Sequence, residues 1–210
     1  VTSTKPTRAS STPTKARAST AFSRWRTSDI LITAVIGVVF GVVFWGWNTI
    51  SPAFDKLFAG SPWGGLIVGV WLLPGVLAPL VTKRAGSGIL AESLAALVSV
   101  LFGAPWSGGS ILLYGVIQGI GAEVGYAVVL YRIWKPLVVF LSGATAGIAS
   151  GLLDVTTYYP EFATGWKVVH VVATTIGALV VCGLASLALH KALQASGALP
   201  ARREQRRIPA

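Results

Sequence analysis

Six apolar runs, at residues 28–49, 62–82, 86–103, 107–130, 135–156 and 164–190, dominate this sequence, and most are as long as the roughly 20-residue helix that crosses a bilayer. In hydrocarbon every backbone N–H and C=O must find its partner inside the chain, so such runs are expected to be helices. Composition agrees: 53% of the residues are hydrophobic and 11% are charged, against roughly 25% charged in an ordinary soluble domain. The predicted fold class is an all-α integral membrane protein with six transmembrane helices. The third run, Gly86 to Gly103, is the shortest.

Orientation follows from the basic residues, because short cytoplasmic connections retain Lys and Arg. Lys5, Arg8, Lys15, Arg17, Arg24 and Arg26 precede the first run. Lys83 and Arg84 follow the second, Arg132 and Lys135 separate the fourth and fifth, and Lys191, Arg202, Arg203, Arg206 and Arg207 follow the sixth. The alternate connections hold only Lys56 and Lys167. Both termini are therefore expected in the cytoplasm. The organisation predicted is a disordered basic tail over 1–27, a membrane domain over 28–190 and a second basic tail over 191–210 in the cell membrane of a prokaryote. Ser, Thr, Ala and Pro dominate the first tail, which buries too little apolar surface to fold. The net charge of +10 thus reads as solvated arms and not as a nucleic-acid surface. The basic start leads into a helix longer than a signal h-region, which argues against a cleaved leader. Trp25 and Trp134, each beside a basic residue, fit interfacial anchors.

Some chemistries are disfavoured at once. A single cysteine, Cys182, gives no disulfide framework and no zinc cluster, so neither metal nor cofactor is expected. His170 and His190 with that cysteine make no activated nucleophile. No Gly-x-x-x-x-Gly-Lys-Ser/Thr loop is present for ATP, and the chain is not expected to be an enzyme.

Ionisable and amide groups at membrane depth carry the information, because each is expensive there unless paired or lining a wet cavity. Glu92 lies about 9 Å into the third helix and is the leading ligand candidate. Tyr114 and Gln118, four apart, share a face and can point together into a cavity. Glu123 lies on the far side of the same helix, where an interhelical hydrogen bond competes with a ligand role. Asp154 is near the end of the fifth run. His170, four after Trp166, could serve a site or satisfy a neighbouring helix.

Tryptophan concentrates on the side expected to face out: Trp45, Trp47, Trp63, Trp106 and Trp166. A lipid-facing belt explains some of them, and a cup of aromatic faces for a flat or cationic small molecule would explain the asymmetry. Asn48 beside Trp47 supplies an amide that donates and accepts. The connection from Ser51 to Ser61 could cover such a cup. In the first run Ala34, Gly37 and Gly41 share a face that admits a close helix backbone, either within the bundle or on a partner subunit. Gly115 and Gly119 repeat the pattern, there read as internal packing.

The stretch Ala34-Val-Ile-Gly-Val-Val-Phe-Gly-Val-Val-Phe-Trp-Gly-Trp-Asn48 resembles the first helix of the YkoE-type substrate-binding (S) components of energy-coupling-factor (ECF) vitamin transporters. Ala91-Glu-Ser-Leu-Ala-Ala-Leu-Val-Ser99 with Phe102-Gly-Ala-Pro-Trp106 is similar to the third helix and turn of that family, and Gly115-Val-Ile-Gln-Gly-Ile-Gly-Ala-Glu123 to its fourth. The likeness covers about residues 25–190. It implies an S-component fold with a site for thiamine or its hydroxymethylpyrimidine moiety open to the outer face. The implied partners are a transmembrane T component and ABC-type ATPase subunits, which supply the energy. Set against the chemistry of such a ligand, the residues themselves suggest that Glu92 accepts from the aminopyrimidine, Trp47 or Trp106 stacks on a ring, and Asn48, Tyr114, Gln118, His170 and Trp166 surround it, while the small-residue face Ala34, Gly37 and Gly41 is the best available surface for docking the partner. The competing expectation is a proton-coupled secondary transporter using Glu92, Glu123 and Asp154 as a relay, although no inverted repeat is evident.

The charge count makes a direct prediction. In a Cys182→Ala background, Ser61→Cys should react with an impermeant thiol reagent in intact cells and Ser3→Cys should not. Labelling of Ser3→Cys would reverse the orientation.

Overall fold

A computed structural model of the chain describes residues 24–104 and 108–198, apart from the side chain of Asp55. Among them every regular element is helical: α1 (Thr27–Leu57), a 3₁₀ segment (Pro62–Leu72) that runs straight into α2 (Leu73–Thr82), α3 (Ser87–Leu101), α4 (Gly108–Ala127), α5 (Pro136–Thr157) and α6 (Thr164–Ala195). Each apolar run has become a helical segment. Four stretches, Thr27–Phe54, Pro62–Thr82, Pro136–Thr157 and Thr164–Ala195, are long and apolar enough to cross a membrane, and α3 is a shorter apolar helix. Most of the two expected basic tails lies outside the described residues. Within them, α6 extends to Ala195, so the start of the second tail is helical.

Two boundaries differ from the sequence expectation for physical reasons. Helix α1 does not stop near residue 49 but continues through Pro52 to Leu57, so the connection expected over Ser51 to Ser61 shrinks to 58–61. Pro52 is tolerated because the neighbouring turns keep their side chains packed: Ile36, Phe40, Phe44, Asn48 and Ser51 form a buried stripe at helical spacing. The second run is not one α-helix. Its first 11 residues are 3₁₀, long for a form that rarely exceeds 3–4 residues, and Pro74 sits in the first turn of the α-helix that follows.

Helix α2 is the centre of the bundle. Leu73 through Leu80 are all buried, as expected for a helix apolar on every side. It touches α1, α3, α4, α5 and α6, which are wrapped so that α1 lies on α3, α3 on α4, α4 on α5 and α5 on α6, with the 3₁₀ segment against α6. The outer faces carry the membrane-compatible side chains, for example Val35, Val38, Val39 and Val42 on α1.

Helices approach closely where side chains are small, which is how association is achieved without a hydrophobic drive between lipid-solvated surfaces. A Cβ on Gly37 would stand 2.7 Å from Leu94 Cβ, and one on Gly41 would collide with Val98. The face Ala34, Gly37, Gly41 is therefore filled by this chain's own α3 at its two glycines, which corrects its assignment as a partner-docking surface. Gly115 and Gly119 meet α3 from the other side. Gly41→Leu is accordingly expected to cost at least about 1–3 kcal/mol of folding stability, read as a lower Tm of the detergent-solubilised protein. An unchanged Tm would contradict this packing.

Candidate functional site

A cavity of about 260 Å³ lies among α1, the 3₁₀ segment, α3, α4, α5 and α6, close to the lower end of the roughly 300–1,000 Å³ of small-molecule sites. Glu92, Asn48, Tyr114, Gln118 and His170, all candidates from the sequence, line it together with Asp154, Trp71, Phe44, Ser150, Tyr158 and Tyr159.

Glu92 is held by an interaction that the chain makes twice. The first amides of α3 have no intrahelical acceptor and sit at the positive end of its dipole, while at the passage from the 3₁₀ segment into α2 the Gly75 amide is met by a carboxylate. Gly75, in the first turn of α2, donates its N–H to Glu92 Oε2 at 2.7 Å. Gly88, in the first turn of α3, donates its N–H to Glu123 Oε1 at 2.6 Å. Both donors are glycines because the carboxylate must reach past where a side chain would be: a Cβ would lie 2.8 Å from Glu92 Oε2 and 3.0 Å from Glu123 Oε1. The two carboxylates differ in their second oxygen. Glu123 Oε2 accepts from the Tyr131 hydroxyl, so Glu123 is fully engaged within the protein. Glu92 Oε1 is buried and has no hydrogen-bond partner, and its residue faces the cavity.

The remaining polar groups are fixed in turn. Gln118 Nε2 donates to Ser150 Oγ at 2.9 Å, and Trp71 Nε1 donates to Asn48 Oδ1 at 3.0 Å, which orients the indole in the cavity wall. His170 Nδ1 lies 3.1 Å from the Pro62 carbonyl oxygen, which can only accept, so Nδ1 donates. His170 Nε2 faces Asp154 Oδ2 at 3.3 Å.

Two of the expected tryptophans are not in the wall. Trp47 stacks on Phe54, with ring centroids 5.7 Å apart, and meets Trp71 edge-on at 6.0 Å. It stands behind Trp71 because Phe44 and Asn48 occupy the cavity side of α1 and Trp47 is about 100° round the helix from Asn48. Trp166 is exposed and packs edge-on against Phe162 at 5.7 Å, two rings removed from the cavity. Trp106 lies outside the described residues. The aromatic rings of the wall are instead Phe44, Trp71, which the sequence reading passed over inside an apolar run, Tyr114, and Tyr158 and Tyr159 shortly after Asp154.

At the opposite end, α1 is tied to the α2–α3 connection by Arg84 Nε and Asp29 Oδ2 at 2.7 Å. Lys83 Nζ sits 4.5 Å over the Trp134 ring, which itself packs on Tyr126. Trp134 thus joins connections of the bundle to one another.

With this geometry in hand, the chain can be compared with known proteins. Residues 28–149 match the family described as the permease component of ABC-type cobalt transport systems. A Bacillus subtilis (strain 168) protein provisionally named as the HMP/thiamine permease protein YkoE is 28% identical over 180 residues, covering 83% of this chain and 87% of that one. A crystal structure of an S-component of an ECF transporter superposes with a TM-score of 0.77 at 27% identity, over 83% of this chain and 88% of the other.

The contrast between the two glutamates is testable. Glu123→Ala removes the acceptor of the Gly88 amide and of the Tyr131 hydroxyl, at about 1–3 kcal/mol for a buried group left unsatisfied, and should lower Tm while the folded fraction keeps its ligand affinity. Glu92→Ala should weaken ligand binding. Loss of binding in Glu123→Ala at an unchanged Tm would overturn the division.

Proposed function

The chain belongs to the family of ABC-type cobalt transport permease components, and from that premise we propose that it is the substrate-binding subunit of an ECF transporter that captures thiamine or its hydroxymethylpyrimidine moiety. It is a multi-pass cell-membrane protein of a prokaryote with the S-component fold. The observation that carries the proposal is Glu92: one oxygen is anchored by Gly75 N–H and the other is buried, unpartnered and at the cavity. Such an oxygen asks for an N–H donor, and the exocyclic amine of an aminopyrimidine is one.

Trp71 and Phe44 offer faces for the ring, and Asn48, Gln118 and Ser150 supply amide and hydroxyl groups around it. In this proposal both termini are cytoplasmic, all six apolar runs span the bilayer, and the cavity receives its ligand at the end carrying Gly64, Tyr158 and Tyr159. The ligand then passes inward when a transmembrane T component and ABC-type ATPase subunits drive the cycle. The chain binds; its partners hydrolyse ATP. The T component has to use a surface other than the Gly37 and Gly41 contacts, which α3 fills.

Glu92→Gln keeps the shape of the site but replaces a carboxylate acceptor. Thiamine binding to the purified protein, followed by quenching of tryptophan fluorescence or by calorimetry, should weaken by about 1.5–3 kcal/mol, the value of one hydrogen bond to a charged group. Unchanged affinity in a folded Glu92→Gln protein would remove Glu92 from the site and the proposal with it.

A further inference from the structure

The outer face of the bundle between α4 and α5 carries a groove of about 330 Å³ that shares no residue with the cavity. Each helix contributes residues at i, i+3, i+4 and i+7, counted from Ile117 on α4 and from Thr145 on α5. The small member of each set, Gly121 and Ala149, lies where the two helices touch: a Cβ on Gly121 would stand 2.7 Å from Ala149 Cβ. Ile120, Ile148 and Leu152 beside them are exposed. The Thr145 hydroxyl bonds to the Leu141 and Ser142 carbonyls of its own helix, so the groove calls for an apolar occupant.

The surface changes character at one end. Exposed Leu141 and Leu137 precede Thr145 at steps of four along α5 and lead from the groove to the α4–α5 connection. There Arg132 and Lys135 are exposed on either side of Trp134, and Lys83 Nζ lies over the Trp134 ring. Neither Arg132 nor Lys135 joins the ion pairs formed among the described residues. From Val124 to Leu153 the sequence holds no Asp or Glu. Thr145 is nine residues from Pro136, about 13 Å, near the middle of a ~30 Å hydrocarbon core, where the end of an acyl chain anchored at the interface arrives. A helix of another subunit suits the groove less well. Close helix contact needs small residues at the surface, and here Gly121 and Ala149 already face each other between larger side chains.

We propose that this face binds one anionic phospholipid, with its phosphate at Arg132 and Lys135 and one acyl chain lying over Leu137 and Leu141 into the α4–α5 groove. The proposal rests on the placement of both helices in the bilayer and not on what the cavity captures.

Native mass spectrometry of the delipidated full chain tests it, by titration with dioleoyl phosphatidylglycerol or dioleoyl phosphatidylcholine, which share their chains and differ in headgroup charge. One phosphatidylglycerol is expected to bind about tenfold tighter than phosphatidylcholine. Arg132→Gln combined with Lys135→Gln is expected to remove that preference. Ala149→Leu, which fills the groove, is expected to weaken both lipids about fivefold. Because Ala149 also touches Gly121, the pair Ile120→Ala and Ile148→Ala, at exposed positions, probes the groove a second time with the same expected direction, and Tm reports that each variant is folded. Equal affinity for the two lipids, or a preference that survives loss of both basic residues, overturns the headgroup site. Lipid binding unaffected by both groove variants overturns the seating of the chain. Dimers of the lipid-free protein that Ala149→Leu dissolves would assign the groove to a second copy and overturn it too. Labelling of Ile120→Cys by a water-soluble maleimide in the membrane, in a Cys182→Ala background, overturns the bilayer placement on which the proposal rests.

Discussion

The arrangement rests on two carboxylates placed against the first turns of neighbouring helices. An acidic group in an apolar bundle is tolerated only if its charge is met: the start of α3 offers unpaired amides and the favourable end of a dipole, and the passage from the 3₁₀ segment into α2 offers the Gly75 amide. Glu123 meets the start of α3 and Glu92 the start of α2 through Gly88 and Gly75. These contacts tie α4 to α3 and α3 to α2 in sequence, so the central helix is fixed by polar bonds as well as by apolar burial. The Tyr126 hydroxyl extends the chain of contacts by donating to the Val76 carbonyl at 2.8 Å.

The glycines follow from the same geometry. Gly75 is a glycine because a carboxylate oxygen needs the space of a Cβ, and at Gly88 the Gly75 carbonyl oxygen needs it even more closely than Glu123 Oε1 does. Where no carboxylate intervenes, small residues let backbones touch directly, as between α1 and α3 or between the 3₁₀ segment and α6, where a Cβ on Gly69 would stand 2.9 Å from the Gly177 carbonyl. One residue type thus does two jobs in this chain. The stripe at Ala34, Gly37 and Gly41 shows that a small-residue motif reports a close helix contact without saying whether the second helix belongs to the same chain.

Much of the fold was legible because the constraint that creates it is written in single residues: apolar runs must be helical in lipid, and every run is. The extension of α1 past Pro52 was hidden because the proline and the polar residues around it look like a turn, while Asn48 and Ser51 continue the buried stripe. The 3₁₀ geometry of Pro62–Leu72 was hidden because the two helical forms share their apolar composition and differ only in how tightly α6 can press on Gly65 and Gly69. In the site, Glu92, Asn48, Tyr114, Gln118 and His170 stood out since polar groups are costly at depth. Tryptophans did not sort the same way, because an indole suits a lipid interface, a core and a ligand wall alike. Trp71 and Trp47 were distinguishable only once the rotation of each helix was known, and Glu92 and Glu123 only once the partner of the second oxygen was.

In the proposed function that second oxygen would account for rejection as well as binding. A ligand of the right outline but without an N–H opposite Glu92 Oε1 would close the cavity over an unpaired acceptor, and a buried acceptor left in that state costs about 1–3 kcal/mol. A site that holds a polar group in waiting discriminates better than an apolar wall, where one misplaced methylene changes affinity by a similar amount but a missing donor goes unnoticed. The anchoring of Oε2 by Gly75 sharpens this, because the carboxylate cannot swing away to find another partner without abandoning the first turn of α2. In that proposal, specificity at the cavity and the integrity of the central helix are two consequences of one hydrogen bond.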